Sequence, residues 1–257
     1  MFKKLITCSL CLCTLIACTE TPSGRQQLAL VPPSIMQNMG QQAFAQMKQS
    51  SRISSNTKHD AQVQCIARHV IGAADRVYAG SMPDRDWEVV VFEDPSPNAF
   101  ALPGQKIGVH TGLIELADNP DQLAAVIGHE VGHVLSSHGN ERMTQQLGVT
   151  IVLLAIGVLG EIDSILLMRA LGLGAEVGLI LPFSRAHESE ADIQGLHIMA
   201  EAGFNPAESV ELWRNMAELS GNRPMEFLST HPGHETRIMD LQNSLRQVTR
   251  SPQRPNC

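Results

Sequence analysis

The sequence feature that most constrains this chain is an HExxH motif, Gly128-His129-Glu130-Val131-Gly132-His133, set in an apolar helical pattern. Residues four apart on a helix share one face, so His129 and His133 can offer imidazole nitrogens to one metal ion, with Glu130 beside them. Apolar residues cover nearly the whole circumference of this helix, which predicts that it is buried. Two buried histidines and a carboxylate need a polar partner, and a metal ion supplies one. The motif therefore predicts half of a hydrolytic zinc site, against the alternative of a chance spacing on a surface helix.

The flanking residues predict where this helix begins and ends. Asn119 is a favourable N-cap, Pro120 suits the first helical position, and Asp121 places an acidic group in the first turn. Gly139 can close the C-terminus. We therefore predict a helix over residues 120–138, in which His138 is a C-terminal charge that complements the helix dipole.

A later helix, opened by residues 184–192, can complete the site. A hydrolytic zinc ion typically has three protein ligands and an open position, and two histidines with a carboxylate form one common ligand set. Glu188 and Asp192 are four apart and share a face, so one can bind the metal while the other hydrogen-bonds a ligand histidine. Glu190 points about 160° away from them, so we expect it to be solvated or salt-bridged.

The start of the chain is typical of an export signal. Lys3 and Lys4 precede an apolar run over residues 5–16 that is too short to span a bilayer, and a small residue then precedes Cys18. This pattern resembles the bacterial lipobox, so we expect removal of 1–17 and lipidation of Cys18. The alternatives are a plain signal peptide and an uncleaved anchor. Thr19 after the cysteine favours transport to the outer membrane of a Gram-negative cell, and residues 19–31 are expected to be a polar tether.

Lipidation would leave Cys65 and Cys257 as the only thiols, in an oxidising periplasm. A disulfide between them and two free thiols are equally compatible with the sequence, because nothing in it sets their distance.

Composition narrows the class of protein and its partners. The 257 residues are 43% hydrophobic and 18% charged, which is ordinary for one soluble domain with a sizeable core. The net charge of −7 becomes more negative if the lysines of the signal are removed, which disfavours nucleic acid as a partner. Aromatic residues make up only 4% of the chain, so stacking platforms for single strands have little to be built from.

The remaining segments surround the predicted site. Helical patterns over 35–48 and 60–78 are expected to be structural, and strands are predicted over 86–93 and 106–111. Gly108 lies inside the second strand, where a glycine often marks close approach of another backbone. That strand could bind an extended peptide at the edge of a small sheet, or it could simply be part of a core hairpin.

Two further stretches have open interpretations. Residues 149–181 are apolar but interrupted by glycines and charges, which favours two helices that pack on the domain or cover the cleft, with a membrane-dipping hairpin as the alternative. His231 precedes a proline and is held extended, so it can reach into a site. His231, Arg237 and His234 are candidate oxyanion donors.

Four segments together resemble one family of zinc metallopeptidases. They are residues 98–104 (NAFALPG) with the following strand, the HEVGH helix, residues 184–192, and residues 229–238. Their order and spacing resemble the family that includes HtpX, the CAAX prenyl proteases, the mitochondrial Oma proteins, and the outer-membrane quality-control peptidases BepA and LoiP. The resemblance covers most of residues 60–245.

The resemblance implies a fold and a role for each motif residue. The fold is α+β, a mainly helical zincin-like (gluzincin) domain with a small sheet whose edge strand flanks the cleft. By resemblance, His129, His133 and Glu188 bind one zinc ion per chain, Glu130 is the general base, and Asp192 orients a ligand. His231 is implied as a fourth, regulatory ligand in BepA-like members. The strand implied to align substrate consists of Lys106, Ile107, Gly108, Val109 and His110.

These inferences lead to an expected organisation and function. We expect a signal peptide at 1–17, a lipidated tether and N-terminal helix at 18–58, a metallopeptidase domain at 59–250, and a tail at 251–257. The expected activity is zinc-dependent hydrolysis of misfolded or misassembled envelope proteins at the periplasmic face of the outer membrane. The expected partners are polypeptide substrates, the membrane through the lipid, and outer-membrane assembly machinery. The rivals are a chaperone-like assembly factor whose zinc site is mostly closed by His231, and a hydrolase of small or peptidoglycan-derived substrates.

Overall fold

The computed structural model describes residues 18–81, 86–155, 183–220, 226–231 and 234–257. The expected signal peptide at 1–17 lies outside the described residues, and so does most of the apolar stretch expected to be a lid or a membrane-dipping hairpin, from 156 to 181. Within the described part of the chain, no helix has the length and apolar character needed to cross a bilayer.

The described residues form a mainly helical α+β arrangement with a small sheet, which confirms the predicted fold class. The helices are α1 (Pro33–Ser50), α2 (Thr57–Val77), α3 (Thr111–Leu116), α4 (Pro120–Leu135), α5 (His138–Ala155), α6 (Arg185–Glu201), α7 (Glu208–Ser220), α8 (Glu226–Thr230) and α9 (His234–Ser244), which a 3-10 turn (Leu245–Gln247) follows. The strands are β1 (Cys18–Glu20), β2 (Gln26–Leu28), β3 (Glu88–Phe92), β4 (Ala99–Leu102) and β5 (Lys106–His110).

The central strand of the three-stranded sheet is β5, which pairs parallel with β3 and antiparallel with β4. The edge interpretation of Lys106–His110 is therefore wrong, because both of its backbone edges are hydrogen-bonded to neighbours. The strand at the edge is β4, in which Ala101 pairs with Ile107. Gly108 is required by an aromatic ring rather than by another backbone, since a Cβ there would lie 2.2 Å from the ring of Phe100.

Helices α4 and α6 pack in close contact and form the centre of the domain. A Cβ at Gly195 of α6 would lie 2.7 Å from the backbone nitrogen of His129, and one at Gly128 of α4 would lie 3.0 Å from the carbonyl oxygen of Gly195. Gly132 faces the carbonyl oxygen of Ala191 at the same distance, 3.0 Å. The glycines thus let the two backbones approach closely enough for both helices to supply one site.

The ends of α4 confirm one sequence prediction and correct another. The Asn119 side chain accepts a hydrogen bond from the Gln122 N–H at 3.1 Å, as an N-cap should. The C-terminus lies earlier than predicted, because α4 ends at Leu135 and Ser137 adopts a left-handed conformation, with φ of 51°. His138 consequently begins α5, so its predicted role as a charge at the end of α4 is wrong.

The segment expected to be a tether is folded against the domain. Strands β1 and β2 pair antiparallel, with Cys18 opposite Leu28. The chain after the hairpin is attached to α5, where the Leu30 N–H donates to the Thr144 hydroxyl at 2.9 Å and the Asn140 side chain donates to the Val31 carbonyl at 2.6 Å. Residues 18–31 are thus part of the folded unit.

The C-terminal tail is also fixed in place. Cys65 of α2 and Cys257 form a disulfide with Cα atoms 5.6 Å apart, which confirms the disulfide interpretation over two free thiols. The Ser251 N–H donates to the Ala200 carbonyl at 2.9 Å, and the Arg254 guanidinium pairs with Asp121 at 2.9 Å. The tail therefore lies across the end of α6 and joins it to α2 and α4.

Candidate metal centre

Four buried side chains converge on one point. His129 and His133 come from α4, Glu188 from the first turn of α6, and His231 from the end of α8; one ligand atom of each lies within 4.8 Å of all the others. His129 Nε2 lies 3.0 Å from His133 Nε2 and 3.2 Å from His231 Nδ1. His231 Nδ1 lies 3.0 Å from Glu188 Oε1. The structure thus brings together all four residues that the sequence proposed as ligands.

The chemistry of this donor set fits a zinc ion. Three imidazole nitrogens and a carboxylate oxygen, all within 4.8 Å of one another, match the nitrogen and oxygen ligands that tetrahedral zinc prefers. Burial and the neighbouring histidines lower the pKa of His133 well below its usual value, which leaves the neutral imidazole that a metal needs. His129, His133 and Glu188 could hold the metal as three ligands, and His231 is placed to act as a fourth.

Asp192 holds His129 from behind. The Asp192 Oδ1 atom lies 2.9 Å from His129 Nδ1, and Arg237 donates to both carboxylate oxygens of Asp192 at 2.6 Å. Burial alone would raise the pKa of Asp192, but the charge and hydrogen bonds of Arg237 outweigh it and lower the pKa to about 2. An ionised Asp192 accepts the Nδ1 proton of His129 and leaves the Nε2 lone pair directed at the other donors.

Arg237 is occupied by this support. Its Nη1 atom lies 2.5 Å from Glu188 Oε2, in addition to the two bonds to Asp192, and its guanidinium lies 3.7 Å over the Trp213 ring. The arginine therefore neutralises two buried carboxylates and fixes their positions. The ring of Trp213 lies under this charge.

His133 has a support that sequence reasoning missed. His138 is fully buried, and its Nδ1 atom lies 2.9 Å from His133 Nδ1. On its other side, His138 Nε2 lies 3.1 Å from Glu190 Oε2. Glu190 is buried and salt-bridged to Arg25 at 2.5 Å, so of the two predicted alternatives the salt-bridged one is right. No periodic pattern reveals this contact, because the turn at Ser137 produces it.

Glu130 lies between the donor cluster and the sheet. Its Oε2 atom accepts a hydrogen bond at 2.8 Å from the backbone N–H of Ala101, in the edge strand β4. Its Oε1 atom has no hydrogen-bond partner among the described residues and lies 3.4 Å from His231 Nε2. Burial raises the pKa of Glu130 to about 8. Burial therefore makes this carboxyl group hold a proton more readily than an exposed glutamate does.

Two cavities flank the cluster along β4. One, of about 210 Å³, is lined by Glu130 and His231, and the other, of about 230 Å³, is lined by His133. Phe183 lines both, and it stacks on the ring of His133 with a centroid distance of 3.9 Å. The Arg142 guanidinium lies over the Phe183 ring, 4.1 Å from its centroid. Ala101 and Leu102 line both cavities, which are together called the cleft below.

The strand predicted to align substrate contributes little surface to this cleft. Ile107 and Val109 are fully buried in the core, and Lys106 pairs with Glu88 at 3.2 Å on the opposite side of the sheet from β4. Within β5, His110 lines the cavity beside Glu130 and lies 3.2 Å from the Ser96 hydroxyl.

Comparison with known proteins gives one consistent result. The profile of Peptidase family M48 matches residues 57–245. Among curated proteins, the chain is similar to the mitochondrial metalloendopeptidase OMA1 of Schizosaccharomyces pombe, 35% identical over 187 residues that cover 70% of this chain and 53% of the relative. The OMA1 of Arabidopsis thaliana is 32% identical over 229 residues, 86% of this chain and 44% of the relative.

A bacterial relative extends the comparison. The beta-barrel assembly-enhancing protease of Escherichia coli is 31% identical over 160 residues, which cover 59% of this chain and 33% of that protein. The chain thus spans about half the length of the OMA1 relatives that it matches, and less of the bacterial one.

Proposed function

Because this chain belongs to Peptidase family M48 and is by that membership a metallopeptidase, we propose that it is a zinc-dependent endopeptidase that acts on extended segments of misfolded or misassembled envelope proteins. The observation that carries the proposal is the cluster of His129, His133 and Glu188 directly beside Glu130 and the edge strand β4. In this proposal, one cleft contains the metal ligands, the general base and a strand edge that can form hydrogen bonds with a peptide backbone.

In this proposal the three residues of α4 and α6 hold zinc. The ion supplies Lewis-acid chemistry, which polarises a carbonyl group and lowers the pKa of water. Asp192 and Arg237 orient His129, as their hydrogen bonds indicate. Arg237 serves this role instead of donating to an oxyanion, because its guanidinium is already bound to two carboxylates.

Glu130 is the proposed general base and acid. The Ala101 N–H fixes its Oε2 atom, so the other carboxylate oxygen, Oε1, is left to accept a proton from the attacking water and return it to the leaving amine. His231 Nε2, 3.4 Å from that oxygen, is the proposed oxyanion donor when its ring is not occupied by a metal.

Substrate alignment is proposed for β4. The Ala101 N–H points away from β5, towards Glu130, so one backbone edge of β4 faces the cleft. An extended peptide can add to such an edge through main-chain hydrogen bonds, which select for accessible backbone rather than for particular side chains. Unfolded proteins present such segments and folded proteins do not.

The test is the Glu130→Gln variant with a permanently unfolded reporter protein. We expect the rate of cleavage to fall by about 10²-fold or more, since proton transfer is lost, while the zinc content by atomic absorption stays at one ion per chain. The matched control is Glu115→Gln in α3, an exposed carboxylate outside the cleft. Undiminished cleavage by the Glu130→Gln protein would exclude the proposed mechanism.

The chaperone-like assembly factor is the second candidate function, and the position of His231 favours it. Its Nδ1 atom lies within 3.2 Å of both His129 and Glu188, where it can close the metal site as a fourth ligand. In that case the Glu130→Gln protein would still restore outer-membrane assembly in cells that lack the wild type. If proteolysis is the function, the Glu130→Gln protein would not restore assembly, and His231→Ala would lower cleavage of the unfolded reporter because the proposed oxyanion donor is lost.

We also propose attachment to the periplasmic face of the outer membrane through a lipid on Cys18. The Cys65–Cys257 disulfide supports an oxidising compartment, since such bonds are rare in reducing ones. Radiolabelled palmitate should enter the wild-type protein and not Cys18→Ser, which should leave the membrane fraction. Labelling of the variant would contradict the proposal. Outer-membrane assembly machinery is a proposed partner, in keeping with the name of the bacterial relative, the beta-barrel assembly-enhancing protease.

A further inference from the structure

A row of buried polar groups leads from His133 to the N-terminal hairpin. His133 Nδ1 lies 2.9 Å from His138 Nδ1, and His138 Nε2 lies 3.1 Å from Glu190 Oε2. Arg25 donates from Nε to Glu190 Oε2 at 2.5 Å, and the hydroxyl of Thr21 donates to Oε1 of the same carboxylate. The row therefore connects a candidate metal ligand with two side chains close to the start of the described chain.

The donors and acceptors along the row can be assigned in sequence. A carboxylate only accepts hydrogen bonds, so the proton between His138 and Glu190 belongs to His138 Nε2. A neutral imidazole with a proton on Nε2 accepts at Nδ1, so the proton between the two rings belongs to His133 Nδ1. The lone pair of His133 is then on Nε2, the nitrogen that faces His129 at 3.0 Å. The row thus fixes the tautomer of His133 that can bind a metal.

The hairpin is firmly attached to this row. Ser23 also donates to Glu190, and Arg25 extends past Glu190 to form a second ion pair with Glu141 of α5 at 2.8 Å. Thr21 is buried and its hydroxyl accepts from the Arg25 N–H at 3.1 Å, which closes the turn of the hairpin around the carboxylate. Every one of these hairpin groups precedes residue 57, where the match to the peptidase family begins.

We propose that the hairpin Cys18–Leu28 is a positioning element of the metal centre, in which Arg25 and Thr21 hold Glu190, Glu190 holds His138, and His138 holds His133. This inference rests on the ligand set of the proposed function. Asp192 orients His129 through a direct contact. Glu190 would orient His133 in the same way, but through His138, which lies between them. A peptidase domain cut at residue 57 would then keep its ligands but bind metal less well.

The test measures metal affinity and coordination in the full chain. Glu190→Ala, Arg25→Ala and His138→Leu should each raise the zinc Kd about 10–100-fold by chelator competition, as loss of groups behind a ligand histidine does. The visible spectrum of the cobalt-loaded protein should also change, because the orientation of the His133 ring changes. His138→Gln offers an acceptor and a donor of similar reach and should restore both the Kd and the spectrum.

Two controls separate positioning from general stability. Glu211→Ala removes an exposed carboxylate of α7, where it pairs with Arg214. Glu201→Ala removes an exposed carboxylate at the far end of α6, where it pairs with Arg76. Both should keep the wild-type Kd and spectrum. Circular dichroism of the metal-free proteins establishes that each variant is folded before metal is added.

The zinc Kd and the cobalt spectrum test this inference without any measurement of proteolysis. A wild-type Kd and cobalt spectrum in Glu190→Ala and Arg25→Ala would overturn the inference, as would failure of His138→Gln to differ from His138→Leu. If the wild-type protein binds zinc tightly and cleaves no reporter, the proposed function fails while the positioning role stands. If it binds no zinc, both fail.

Discussion

At the scale of single residues, Tyr78 gives the clearest pH prediction, because it is the only tyrosine in the chain. Burial, and then the charge of Glu190, raise its pKa from 10.0 to about 12. Between pH 10 and about pH 12 the folded protein therefore keeps the phenol proton of Tyr78, whereas the unfolded chain releases it. The contribution of Tyr78 to the free energy of unfolding is thus fully present below pH 10 and is lost as the pH rises towards 12.

Ultraviolet absorbance of tyrosinate measures this directly. In the folded protein the titration should have its midpoint near pH 12, and after unfolding in denaturant it should move to near 10. Tyr78→Phe should flatten the decline of the melting temperature over the same range. An identical decline in Tyr78→Phe would show that another group is responsible.

The spacing of residues predicted part of the site and could not predict the rest. His129, His133, Glu188 and Asp192 were found because their partners are four residues away on a regular helix, and this period is a local property of the chain. His138 was misplaced because its contact depends on the left-handed turn at Ser137, and a non-glycine residue in that conformation leaves no reliable signal in the sequence.

At the scale of elements, the close packing of α4 and α6 is the feature on which the cluster depends. Gly195→Ala would place a methyl group 2.7 Å from the His129 backbone nitrogen, which must push the helices apart. We expect a loss of about 1–3 kcal/mol in the free energy of unfolding, as is usual for overpacking, together with a higher zinc Kd. Thermal denaturation and chelator competition measure the two effects.

Gly72→Ala is the matched control for this substitution. Gly72 also lies inside a helix, α2, but the nearest atom to a Cβ there is the far end of Arg76 at 3.7 Å, an ordinary contact. The variant should be more stable by about 0.5–1 kcal/mol, because alanine loses less backbone entropy than glycine on folding. Equal effects of the two substitutions would show that helix propensity, and not close packing, governs Gly195.

The sheet shows where element-level prediction stops. Both main strands were located, because β-branched and aromatic residues mark them, but the order of strands was not predictable from these patterns. The short run Ala99–Leu102 lies outside the two predicted strands, yet it forms the edge strand beside Glu130. Position in a sheet depends on long-range pairing, which residue composition does not encode.

At the scale of the whole molecule, the disulfide closes a very long loop. Cys65 and Cys257 are 192 residues apart, and the bond restricts the unfolded chain far more than the folded one. Reduction, or Cys65→Ser with Cys257→Ser, should cost on the order of 2–5 kcal/mol of unfolding free energy, measured by denaturant titration. An unchanged midpoint would mean that the tail's other contacts, such as Arg254 with Asp121, are sufficient to hold it.

Large-scale organisation was the least predictable level. The polar composition of residues 19–31 is typical of a linker. Thr21 and Arg25 nevertheless both donate hydrogen bonds to Glu190, which follows them in the chain by 165 residues or more. The sequence could not choose between a disulfide and free thiols for the same reason, since both outcomes depend on distances set by the complete fold.

The long loop also bears on the order of events while the protein is made. In the proposed export, which begins at the N-terminus, Cys65 would enter an oxidising space well before Cys257, and an early bond to any other thiol would have to be exchanged. Glu188 and His231 likewise follow His129 by 59 and 102 residues. The four candidate donors can meet only when nearly all of the domain has been synthesised, so the candidate metal centre cannot form before then.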